Sequence, residues 1–161
     1  MNTLLEYLNF RGDLSFFKSP FNENDALLLS CLIGLDYKDI LTDDMTIAQA
    51  AFKYKNVALS DTNDDRISDK ESLLFLMGSA KRFMNVKLCD YVRDISSENE
   101  MTFYALTFKI SPFTECIVYR GTDGSLLSWK ENFSTLYTMP TKGQLQAKEY
   151  LTNHLKSSNI H

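Results

Sequence analysis

Four consecutive apolar residues, Cys116-Ile117-Val118-Tyr119, run directly into Arg120-Gly121-Thr122-Asp123-Gly124, and no other stretch constrains the fold as tightly. A strand that apolar is buried on both faces, so other elements must cover it above and below. Gly121 and Gly124 break the run, and an apolar pattern of helical spacing resumes through Leu126, Leu127, Trp129 and Phe133. Strand, tight turn and helix follow from this order. Such a turn lies at the C-terminal end of its strand, where backbone N–H groups and the Thr122 hydroxyl can face a ligand. The same residues also suit a plain strand end, with Arg120 in an ion pair and Gly121-Thr122 as a turn plus an N-cap.

The 161 residues are enough for one domain that buries roughly two thirds of its unfolded surface. A single domain is expected over 1–161, mainly helical through 1–84, with sheet and helices over 85–161. With 44% hydrophobic and 24% charged residues the chain is neither disordered nor membrane-spanning. A formal net charge of -4 and no run of Lys or Arg leave no electrostatic footprint for nucleic acid or an anionic membrane. Three cysteines, Cys31, Cys89 and Cys116, sit in apolar segments without C-x-x-C spacing, which points to reduced thiols and a cytoplasmic protein. The first residues lack a basic region and a long apolar core, so no signal peptide is expected.

Helical periodicity covers residues 3–9, and an aromatic-rich connector from Arg11 to Phe21 follows. Asn22 or Asn24 can cap a deeply buried helix from Asp25 to Ile33, and Thr46 precedes a capped helix from Ile47 to Tyr54. A further helix is predicted from Asp69 to Phe83, with Leu73, Leu74, Leu76, Met77 and Ala80 as its core stripe. From Val86 the period becomes alternating, and strands are predicted over 86–93, 101–110 and 116–119 with loops short enough for antiparallel neighbours. Two helices close the chain, Leu126 to Thr135 and Lys142 to Lys156. The fold class is α/β in content: a helical N-terminal half packed on a small, three-stranded, mostly antiparallel sheet, plus two C-terminal helices. Asp61, Asn63 and Asp65 match the first alternating ligand positions of a calcium loop, but Arg66 stands where the turn needs glycine and Ser72 where a bidentate Glu is needed. No metal and no cofactor is expected.

Asn9-Phe10-Arg11-Gly12-Asp13-Leu14-Ser15-Phe16 with Ser19-Pro20-Phe21-Asn22, and later Tyr119-Arg120-Gly121-Thr122-Asp123 with Trp129-Lys130-Glu131-Asn132-Phe133, resemble a bacterial family of unknown function, the Mbeg-like proteins. That family is related to the class 3 lipases of the α/β-hydrolase fold. The resemblance implies that Thr122 matches the first half of an oxyanion hole, with Asp123 in the neighbouring loop. Donors aimed at a developing alkoxide are what acyl transfer requires. It also implies that Arg120 and Gly121 hold the turn, and that Trp129 lies in the segment behind it, which in lipases often forms a lid. Asn132 departs from the acid those lipases tend to carry.

Equally informative is what the sequence lacks. The lipase pattern continues into a nucleophile elbow, and no G-x-S-x-G occurs in these 161 residues. Gly78-Ser79-Ala80 lies within a helical pattern. The histidines are His154, expected on a solvated helix face, and His161. Cys116 lies mid-strand with no base in sequence reach. The expectation is therefore the N-terminal portion of a serine esterase or lipase-like hydrolase, an incomplete α/β-hydrolase fold that is inactive alone. A small acyl or ester ligand would belong to the full-length protein, and the third strand would offer an exposed edge for self-association. The alternative is a non-catalytic interaction or regulatory module.

Overall fold

A computed structural model describes residues 2–42, 44–60, 68–96, 101–121, 133, 135–137 and 139–157. The elements are α1 (Asn2–Arg11), α2 (Glu23–Leu32), β1 (Met45–Thr46), α3 (Ile47–Ser60), α4 (Asp69–Ser79), β2 (Lys87–Ser96), β3 (Met101–Ser111), β4 (Thr114–Tyr119) and α5 (Lys142–Ser157). Four of the helices start with the same local device, a short polar cap whose side chain and third residue exchange hydrogen bonds with the backbone. Asn22 and Asp25 do this for α2, and Ser68 and Glu71 for α4. Thr46 and Gln49 cap α3, and Thr141 and Gln144 cap α5. None of the helices among the described residues is long and apolar enough to cross a membrane.

The sheet is antiparallel throughout, in the order β1-β2-β3-β4. Four strands replace the three expected, because Met45 and Thr46 pair with Leu88 and Lys87. A two-residue strand leaves no alternation to read, and Thr46 doubles as the cap of α3. Helix α4 stops at Ser79, short of the predicted Phe83, because Ala80 turns to an extended conformation and gives its N–H to Leu76 and Met77. Helix α3 instead runs past Tyr54 to Ser60. The helix expected over 126–135 and the calcium-like loop at 61–67 fall largely or wholly outside the described residues.

Alternation along the strands divides the side chains between two unequal faces. Leu88, Tyr104, Leu106, Phe108 and Val118 join the helical half in the main core, with Leu28, Leu29, Leu32, Leu74, Met77 and Phe83. On the opposite face Phe103 and Ala105 form a small cluster with Val92, Ala147 and Tyr150 beneath α5. The close approach of α3 and α4 depends on Gly78, where a Cβ would lie 2.6 Å from that of Ala51.

One buried ion pair organises the N-terminal connector. Arg82 and Asp25, both with fully buried side chains, meet through Nε to Oδ1 at 2.7 Å and Nη2 to Oδ2 at 2.5 Å. The remaining guanidinium donors go to the carbonyls of Leu14 (3.1 Å), Ser19 (3.0 Å) and Pro20 (3.1 Å). All five N–H groups of the fork are thus used. Phe16 stacks against the guanidinium at 4.3 Å, and Tyr7 donates to Asp25 Oδ1. Gly12 gives its carbonyl to Arg82 N–H, and a Cβ on it would come within 2.5 Å of Leu8 O. The connector is therefore wrapped on one side chain. Its hydrogen bonds to Asp25 hold the Arg82 guanidinium above its usual range.

Candidate functional site at the C-terminal end of strand β4

Where β4 ends, Arg120 N–H donates to the Tyr104 carbonyl at 3.1 Å, which continues the ladder by one residue and fixes the start of the turn. The Arg120 guanidinium lies over the Tyr104 ring, 4.5 Å from its centroid. Arg93, from the C-terminal half of β2, lies 5.8 Å from the same ring and donates Nε to the Tyr104 hydroxyl at 3.4 Å. That hydroxyl, with Asp36 beyond it, keeps the Arg93 guanidinium above its usual range. Asp36, just after α2, forms an ion pair with Arg93. The result is a shelf of two cations and one acid on a nearly buried tyrosine. Tyr37, Tyr54 and Tyr91 pack edge-on beside it, and burial pushes the Tyr37 phenol far above its ordinary range, so it stays neutral.

The sequence-derived residues fare differently. Arg120 directly follows the last residue of β4. Gly121 has no left-handed φ, and a Cβ on it would meet no described atom within 4 Å, so local sterics among the described residues do not demand glycine there. Thr122, Asp123 and Trp129 lie outside the described residues.

The opposite end of β4 carries a second polar cluster, which the sequence reading missed. His154 is not on a solvated face: its side chain is 11% exposed, with Nε2 2.8 Å from Glu115 Oε2 and Nδ1 3.6 Å from Asp90 Oδ2. Its ring stacks on Tyr150 with a 5.9 Å centroid separation. The physical reason is the spacing of α5, in which Gln146, Tyr150 and His154 recur every fourth residue and face the sheet. Gln146 donates to Asp94 at 3.1 Å, and Tyr150 bonds the Asp90 carbonyl and the Thr107 hydroxyl, each at 2.8 Å. Tyr119 adds a bond to the Ala147 carbonyl at 3.0 Å. A polar stripe inside a helix that also carries Leu145, Leu151 and Leu155 was the available signal.

These positions limit the chemistry. Glu115, which meets His154, and Arg120 are five residues apart along the chain, roughly 16 Å of extended backbone. Cys116 packs with the main core, on the other face of the sheet from His154. Burial raises the Cys116 thiol, and it raises Cys89 to about 11, so neither is an activated thiolate. Glu115 and Asp90 approach different nitrogens of His154 rather than a shared point, and no cluster of metal-binding side chains occurs among the described residues. An open groove of about 590 Å³ lies at the far edge of the sheet, lined by Met45, Ala48, Gln49, Phe52 and Lys53.

The profile of the Mbeg1-like family matches residues 77–160, from the last turn of α4 through α5. This chain belongs to the Mbeg1-like family. No curated protein and no solved structure matches it. The Mbeg1-like match takes in the shelf at Arg93, Tyr104 and Arg120, and both the helix α5 and the three strands beneath it. It also takes in Arg82 but not Asp25 or the connector at 9–22, so the buried ion pair joins the matched part to the residues before it.

Proposed function

We propose that this Mbeg1-like chain is the non-catalytic, ligand-facing portion of an esterase- or lipase-like hydrolase with an incomplete α/β-hydrolase fold. In this reading Arg120, Gly121 and Thr122 form part of a cradle for a small acyl or ester ligand, with Asp123 beside it and Trp129 behind it. The observation that supports it most is the placement of Arg120 at the C-terminal end of β4, stacked on Tyr104, while His154 is tied into α5 docking at the opposite end. A nucleophile and a base within hydrogen-bond reach are the minimum for acyl transfer, and the described residues bring no such pair together. Among the described residues, strand β4 pairs with β3 on one side, and its other edge suits a further strand or self-association. The three cysteines stay reduced in the cytoplasm.

Hydrolysis of p-nitrophenyl butyrate by the purified chain tests this directly. The expected rate is that of the buffer blank, for the chain and for Thr122→Ala alike. A saturable rate well above the blank that Thr122→Ala abolishes overturns it. A second reading, an interaction module without an acyl ligand, is favoured by Phe10, Phe17 and Phe113, which are 81%, 98% and 97% exposed.

A further inference from the structure

The docking of α5 is unlike the rest of the fold. The helical half is joined to the sheet through a large apolar core, whereas α5 meets it through a small cluster and a row of polar contacts from Gln146, Tyr150, His154 and the Ala147 carbonyl. Contacts of that kind depend on protonation in a way that apolar burial does not. His154 stands between two carboxylates, Glu115 on Nε2 and Asp90 on Nδ1. Neutral imidazole carries one N–H, so it can donate toward one carboxylate while its other nitrogen turns a lone pair toward the second. Imidazolium carries two, and attracts both. Among the described residues, Asp90 from β2 and Glu115 from β4 face it, Tyr150 from α5 stacks on it, and Lys109 from β3 is the cross-strand partner of Glu115. Of these side-chain types, imidazole is the one that gains and loses its charge in the physiological range.

Asp90 gives the contact a second consequence. It sits in the irregularity of β2 between Cys89 and Val92 with φ 55, a left-handed conformation that a residue with a Cβ adopts at a cost. Its carbonyl accepts from Tyr150 and its carboxylate faces His154, so α5 holds both ends of the strained residue.

We propose that His154 is a proton-operated latch: the protonated ring clasps Asp90 and Glu115 and seats α5 on the sheet, and its deprotonation loosens the helix and the β2 bulge together. This is independent of the acyl-ligand reading above. Seating is full where imidazole is protonated and both acids are ionised, and it weakens as pH rises through the imidazole range.

Amide hydrogen exchange on the full chain at pH 5.5 and 8.5, corrected for intrinsic exchange, tests the latch. Loss of one charge-assisted contact corresponds to about tenfold lower protection in α5 at the higher pH, with α4 amides as the internal reference. His154→Gln is expected to make α5 protection the same at both values, and Glu115→Gln to shrink the wild-type difference to about threefold. Flat protection in the wild type, or a wild-type pH profile in His154→Gln, overturns the proposal. Should His154→Gln not fold, an unchanged profile in Glu115→Gln overturns it equally.

Discussion

Arg82→Met is expected to lose about 3–5 kcal/mol of stability, because it leaves Asp25 as a buried charge without its counter-ion. The side chain is fully buried, as is that of Asp25, so bulk solvent cannot screen the loss. Three carbonyls, of Leu14, Ser19 and Pro20, lose their donor at the same time, and the connector loses the cation that Phe16 packs against. Urea unfolding followed by circular dichroism measures the cost. Asp25→Leu alone should be comparably damaging, since it leaves the guanidinium uncompensated. The double variant should recover part of the sum, because it buries no charge at all. A loss under 1 kcal/mol for Arg82→Met contradicts a structural role for the pair.

Phe108→Ala should cost about 3–5 kcal/mol and unfold the sheet and helices together. The ring is fully buried at the middle of β3, between Leu88 on β2 and Cys116 on β4, and it faces the helical half. Nothing on the β3 backbone can close the void, because strands on both sides fix its position. The same urea titration should show a lower midpoint with an unchanged slope, as expected when compactness is kept and stability is lost. A midpoint within experimental error of the wild type would mean that the core is organised around other side chains.

Much of this architecture was legible in the amino-acid order, and the failures have physical causes. The capped starts of α2 and α3 were readable because Asn22 and Thr46 carry local chemistry that needs no tertiary partner. The strands at 87–96, 101–111 and 114–119 were readable because alternation and a short hairpin are also local. Strand β1 was not, since two residues have no period. The Asp25–Arg82 pair joins positions 57 residues apart, and nothing local links them. Its trace was Asp25 in the first turn of a helix apolar nearly all round and the Lys81-Arg82 pair between Ala80 and Phe83. His154 was misjudged for the converse reason. Its neighbours along α5 are polar, and the carboxylates that make that face an interior one come from two different strands. At the turn, Arg120 was found through the break after four apolar residues, but the ring it stacks on, Tyr104, is one alternating position among several on β3.

Amide chemical-shift mapping of the isotopically labelled chain titrated with butyrate tests the central claim, that the end of β4 is the ligand-facing part of the molecule. The expected result is saturable shifts concentrated at Tyr104, Arg120, Gly121 and Thr122, weakened by Arg120→Ala. Shifts confined to the groove around Met45 and Phe52, or none at all, would contradict it.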